Sequence, residues 1–163
     1  MDIQTQKTMF SSQSSEWGTP LDFFAKLNKK FKFTLDPCCT AMTAKCEKYY
    51  TREDDGLSKS WEDEIVFVNP PYGEISKWVQ KSYEESTYNN TTVVMLIPSR
   101  TDTRYWHDYV MKANAIFFIK GRLKFENGND KQNAAPFPSA LVVFDMGKFR
   151  WVSTPTIKTM ERQ

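Results

Sequence analysis

The sequence predicts an α/β fold: a mixed, mostly parallel sheet with helices on both faces and an antiparallel strand pair toward the C-terminus. Three observations carry this reading. Short continuous apolar runs at residues 65–68, 93–97 and 115–119 read as strands covered on both faces. Between them, Ile75, Trp78, Val79 and Tyr83, then Tyr105, Trp106, Tyr109 and Val110, recur at helical spacing. Residues 140–144 and 149–152, separated by Met146-Gly147-Lys148, read as two strands of an antiparallel pair.

Along the chain, residues 1–15 are rich in Gln, Ser and Thr and are expected as a flexible tail. A single domain is expected over 16–153, with 154–163 loose. Thr19 is placed to cap a helix whose first turn holds Pro20. That helix has Phe23, Phe24, Leu27 and Phe31 on its apolar face and Lys26, Lys29, Lys30 and Lys32 between them. Phe31, Phe33 and Leu35 alternate, which predicts a short strand ending at Asp36-Pro37. Residues 40–63 show weak periodicity, and Glu53-Asp54-Asp55 before Gly56 predicts a loop or turn. The strand at 65–68 stops at Asn69-Pro70-Pro71-Tyr72-Gly73, which continues neither a helix nor a strand. After the strand broken by Pro98, a helix is expected over 102–112. Residues 121–138, with Gly121, Gly128, Pro136 and Pro138, predict a long polar loop.

Composition narrows the function classes. The 163 residues carry a formal net charge of +2, with 40% apolar and 15% aromatic residues. One folded core fits, and the charge neither demands nor excludes nucleic acid. No run approaches the roughly 18 apolar residues of a membrane span, and the N-terminus lacks the apolar core of a signal peptide. A cytoplasmic protein without a membrane partner is the default expectation. A zinc site needs about four N or S ligands in paired spacing. Cys38, Cys39 and Cys46 contain no C-x-x-C, and His107 stands far off, so reduced thiols and no metal are expected.

In open sheets of this kind ligands bind at the carboxyl ends of strands. Asp36, Asn69 and the Pro98-Ser99-Arg100 step all occupy such positions. An Asn-Pro turn explains the first two residues of Asn69-Pro70-Pro71-Tyr72, but neither the second proline nor the aromatic. The set suits attack by a planar, poorly nucleophilic amino group such as that of adenine. Asn69 offers a side-chain carbonyl, and the prolines lock the loop so that the Pro70 carbonyl points the same way. Tyr72 offers a face for stacking a base. Dipoles aimed at the positive charge that develops on the attacking nitrogen stabilise it without a metal or a strong base.

The 69–72 motif resembles the catalytic signature of amino-methyltransferases that use S-adenosylmethionine. The fuller set resembles the phage-type DNA N-6-adenine methyltransferases. It comprises Trp17-Gly18-Thr19-Pro20, Leu35-Asp36-Pro37, Asp55-Gly56-Leu57 with Trp61, the motif with Trp78, residues 97–103, residues 121–125, and Pro138-Ser139, and so spans about residues 16–145. The resemblance implies a Rossmann-like methyltransferase fold, S-adenosylmethionine as cofactor, and DNA, duplex or single-stranded, as partner. A homo-oligomer is compatible with it, as is a phage or prophage source acting in a bacterial cytoplasm, with a link to restriction-modification. Asn69, Pro70, Pro71 and Tyr72 would be catalytic. Trp17, Thr19, Pro20, Asp36, Pro37, Cys38, Asp55 and Asn69 would bind the cofactor, with Thr19 and Pro20 near its methionine end and Asp36 beside its amino group. Tyr72, Arg100, Arg104, Arg122 and Lys124 would meet the substrate. The loop after Asp36 departs from many such enzymes in having no glycine, and no separate target-recognition domain is visible. RNA adenine or a protein glutamine amide would suit the same motif. A non-catalytic nucleic-acid-binding relative is a third reading.

Overall fold

Phe24, Leu27 and Phe31 fall on one buried stripe and draw Leu21–Phe31 into helix α1. The helix stops at Lys32, whose left-handed φ of 58° lets its N–H reach the Asn28 carbonyl, while Asn28 Oδ1 accepts from Phe33 N at 2.8 Å. The computed structural model describes residues 18–125 and 133–145, with residue 133 and Thr156–Glu161 described by backbone alone.

The chain continues through β1 (Leu35–Asp36), β2 (Lys48–Tyr49), β3 (Ile65–Val68), α2 (Ile75–Tyr88), β4 (Thr92–Pro98), α3 (Arg104–Asp108) and β5 (Ala115–Lys120). It then forms β6 (Lys124–Phe125), β7 (Asn133–Ala134), β8 (Ser139–Phe144) and β9 (Thr156–Glu161). Seven strands make one sheet in the order β2-β1-β3-β4-β8-β5-β9. β1 pairs in parallel with β2 and β3, and β3 with β4. β8 runs antiparallel between β4 and β5, and β9 lies parallel to β5.

Side chains along β4 sort by period two, as a doubly covered strand requires. Val93, Met95 and Ile97 join the core cluster with Ile75, Trp78 and Val79 of α2 and Trp106 of α3. Val94 and Leu96 join the cluster with Phe24, Leu27 and Phe31 of α1. Helices therefore cover both faces, as expected. Fully burying a Val or Phe side chain contributes about 1.5–3 kcal/mol, so Val66, Phe67 and Val68 hold a strand as short as β3 in place.

Several boundaries differ from expectation, each for a local reason. Phe31 belongs to α1, so the strand expected from its alternation with Phe33 and Leu35 shrinks to Leu35–Asp36. The helix expected over 102–112 breaks after Asp108 into a 3₁₀ turn at Val110–Lys112. The expected loop 121–138 contains the antiparallel pair β6–β7. The antiparallel partners of β8 are β4 and β5, while residues 149–152 lie outside the described residues. Thr156–Glu161, expected to be loose, is instead a sheet strand, because its backbone pairs with β5 along six residues. Residues 1–15 also lie outside the described part.

Candidate active site

The carboxyl ends of β1 and β3 lie side by side, with Leu35 opposite Val66. The chain leaves them at Asp36 and Asn69, and α1 begins at the same end. Between these points opens a cavity of about 420 Å³, within the range of small-molecule sites. Thr19, Asp36, Pro37, Cys38 and Asp55 line it together with all four residues of the 69–72 motif. Pro20 does not line it, because it sits at the N-cap of α1, and Trp17 lies outside the described residues.

Thr19 was expected to cap α1. The helix has no side-chain cap, and the Thr19 hydroxyl instead accepts from Asn69 Nδ2 at 3.1 Å. A carboxamide has one donor end and one acceptor end. With Nδ2 engaged by Thr19, Oδ1 is turned away from that hydroxyl. The backbone of the motif is pinned through its acceptors, since two prolines supply no N–H. The Cys38 thiol donates to the Asn69 carbonyl at 3.4 Å, and Glu74 N donates to the Pro71 carbonyl at 3.1 Å. The Pro70 carbonyl accepts no bond from the described residues.

Asp36 is 4% exposed and its Oδ2 accepts from Lys45 N at 3.0 Å. Burial pushes its carboxyl above the ordinary range, outweighing backbone bonds from Lys45 and Cys38 that pull it down. A buried carboxylate of this kind favours a cationic partner. Burial likewise raises the Cys38 and Cys39 thiols and pushes Cys46 up to about 12, so all three are neutral at pH 7.

The acidic run divides its labour. Asp54 Oδ2 accepts from Thr51 N and Oγ1 at 2.8 and 2.9 Å, which builds the turn. Asp55, in the left-handed region at φ 53°, lines the cavity. Gly56 packs on Pro37 so closely that a Cβ would stand 2.0 Å from the Pro37 carbonyl oxygen. Trp61 Nε1 donates to the Gly56 carbonyl at 3.0 Å, and its ring stacks on Trp78 with centroids 6.1 Å apart. Trp78 lines the cavity, and its own buried Nε1 has no partner among the described residues.

Tyr72 is half-buried, and Phe137 meets its ring edge-on at 4.9 Å between centroids. Burial pushes the Tyr72 phenol up against the opposing charge of Arg100, so the hydroxyl stays neutral. None of Arg100, Arg104, Arg122 and Lys124 lines the cavity. Arg104 is held by Asp108 at 3.1 Å as a surface pair on α3, Arg100 and Lys124 are exposed, and Arg122 buries one guanidinium nitrogen. Sequence reasoning missed Phe137 and the packing role of Gly56. Phe137 sits between two prolines in a stretch expected as loop, while an acidic turn ending in glycine hints at Gly56.

A family model described as DNA N-6-adenine-methyltransferase (Dam) matches residues 6–162. The DNA N-6-adenine-methyltransferase of Haemophilus phage HP1 (strain HP1c1) is 28% identical over 151 residues, covering 88% of this chain and 86% of that protein. The DNA N-6-adenine-methyltransferase of Escherichia phage T1 is 30% identical over 117 residues, covering 70% of this chain and 49% of that longer protein.

Proposed function

The chain belongs to the DNA N-6-adenine-methyltransferase family, and from that premise we propose that it draws its methyl group from S-adenosylmethionine and transfers it to adenine at the 69–72 loop. Membership makes it an adenine methyltransferase acting on DNA with a methyl donor. The donor and the residues that carry the transfer are the proposal.

The cavity chemistry fits S-adenosylmethionine. The buried Asp36 carboxylate suits the donor's ammonium group. Asp55 at the cavity wall suits ribose hydroxyls or the adenine amino group. The unpartnered Trp78 N–H suits an acceptor on the nucleoside. When bound, the donor supplies an electrophilic sulfonium methyl.

One observation carries the acceptor site: Thr19 holds Asn69 Nδ2, which turns the Oδ1 end of the carboxamide away from that hydroxyl, and with the Pro70 carbonyl it is the acceptor we assign to an incoming amino group. Two such acceptors take both N–H bonds of the adenine N6 group and turn its lone pair toward the methyl. Their dipoles are fixed before reaction, so they stabilise positive charge on the nitrogen as the bond forms. The proton then leaves to water, since Tyr72 is a stacking surface and no base. Tyr72, braced by Phe137, offers the face on which an extruded adenine stacks.

The test supplies S-adenosylmethionine with unmethylated genomic DNA, RNA and protein in parallel and identifies products by mass spectrometry. N6-methyladenine in DNA, absent with Asn69→Ala, is the expected result. Methyl glutamine, or methylation confined to RNA, would overturn the acceptor assignment.

A further inference from the structure

The segment after β1 returns to its own starting point without a glycine. Thr40 N donates to Thr43 Oγ1 at 2.9 Å and Ala44 N to the Thr40 carbonyl at 2.9 Å, which closes a turn. The turn brings Lys45 N to Asp36 Oδ2 at 3.0 Å. Lys45 is half-buried and lines the cavity with Asp36. Among the described residues its ammonium group has no ion-pair partner.

One charge of S-adenosylmethionine is not matched by Asp36 or Asp55. Its ammonium and carboxylate groups are borne by one carbon, so an ammonium held at Asp36 brings the carboxylate beside Asp36 as well. Two carboxylates at one place repel, and a carboxylate withdrawn from water needs a cation. Among the residues lining the cavity only Lys45 and Arg52 are cationic. Arg52 is exposed, and its charge acts on Glu53 and Glu74. The Lys45 charge acts on Asp36, where it opposes the rise that burial imposes. We propose that the Lys45 ammonium holds the carboxylate of the donor's methionine end while Asp36 holds its ammonium group, so that the pair selects a sulfonium bearing an intact α-amino acid. The proposal rests on the donor reading above and adds the residue that reads the carboxylate. The lysine stem is flexible and its head a compact point charge, which suits one carboxylate at a cavity wall.

Calorimetry with two ligands and two variants tests it. Decarboxylated S-adenosylmethionine keeps the ammonium and sulfonium groups and lacks only the carboxylate. The wild type is expected to bind it roughly 10-fold more weakly than S-adenosylmethionine, the size of one lost charge-assisted bond. Lys45→Gln removes the cation and keeps the backbone N–H that Asp36 uses. It is expected to lose the preference, binding S-adenosylmethionine more weakly and the decarboxylated ligand at least as tightly as wild type does. The second affinity also shows that the variant is folded. Lys45→Arg restores the preference. A wild type that binds both ligands equally, or a Lys45→Gln protein that keeps the preference, would overturn the assignment. So would equal weakening of both ligands in Lys45→Gln, which would make Lys45 a support of the Asp36 loop. A wild type that binds neither ligand would remove the donor reading itself, and the assignment with it.

Discussion

Asn69 Nδ2 donates to Thr19 Oγ1 at 3.1 Å, which joins the start of α1 to the loop after β3 and turns the Oδ1 end of the carboxamide away from that hydroxyl. Thr19 is 2% exposed, so the bond is shielded from competing water. Thr19→Val keeps the shape and removes the acceptor. A lost buried hydrogen bond of this kind is worth about 1–2 kcal/mol, so kcat is expected to fall roughly 10-fold. Thr19→Ser restores it. Steady-state rates at saturating donor decide: equal kcat in Thr19→Val and wild type would show that Asn69 is oriented by something else.

Tyr72 is expected to act through its ring. Its phenol is held neutral by burial, so Tyr72→Phe retains most activity across neutral pH. Tyr72→Ala and Phe137→Ala raise KM for DNA, because stacking a base on an aromatic face contributes about 1–3 kcal/mol and Phe137 braces that face. Calorimetry with S-adenosylmethionine is expected to show unchanged donor affinity in Phe137→Ala. A large rate loss in Tyr72→Phe would instead give the hydroxyl a chemical role.

Gly56→Ala places a methyl 2.0 Å from the Pro37 carbonyl oxygen, against backbone that must move. Overpacking of this sort costs about 1–3 kcal/mol, and the displaced Asp36-Pro37 segment weakens donor binding as well. At Gly73 an added Cβ meets nothing within 4 Å, so Gly73→Ala is the matched control. Thermal denaturation of the two variants, with and without S-adenosylmethionine, is expected to separate them. Equal Tm values would contradict the packing account.

Asp36 ties stability to pH. Burial holds its carboxyl above the ordinary 3.8, so the folded protein binds that proton more tightly than the unfolded chain does. Below 3.8 both states are protonated and nothing is lost. As pH rises from there to the raised folded value the folded state is progressively penalised, and above that value the penalty is complete. Asp36→Asn is therefore expected to raise the Tm of the ligand-free protein at neutral pH while weakening S-adenosylmethionine binding. A variant that bound the donor as tightly as wild type would remove Asp36 from the ammonium site.

The parts legible in the sequence were those where burial dictates residue type. Residues 65–68, 93–97, 115–119 and 140–144 read as strands because a doubly covered strand tolerates little but apolar side chains. β2 was invisible because Lys48 and Tyr49 are exposed and pair only through their backbone. β9 leaves no apolar signature, because Thr156, Lys158, Thr159 and Glu161 break any apolar run, although backbone pairing needs none. At the site, the motif and Asp36 could be read from their place after strands. That Thr19 serves Asn69 rather than α1 could not, because a hydroxyl before a helix has the same local signature in both roles. The Phe137 contact with Tyr72 joins residues far apart in sequence, which no local pattern records.

The most direct test of the account is the Asn69→Ala variant, followed by calorimetry for S-adenosylmethionine and by mass spectrometry for N6-methyladenine in DNA. On the proposed reading Asn69 supplies an acceptor for the target amino group, so donor binding close to wild type with methyl transfer abolished is the predicted result. N6-methyladenine formed at the wild-type rate would contradict the placement of the reaction at the 69–72 loop.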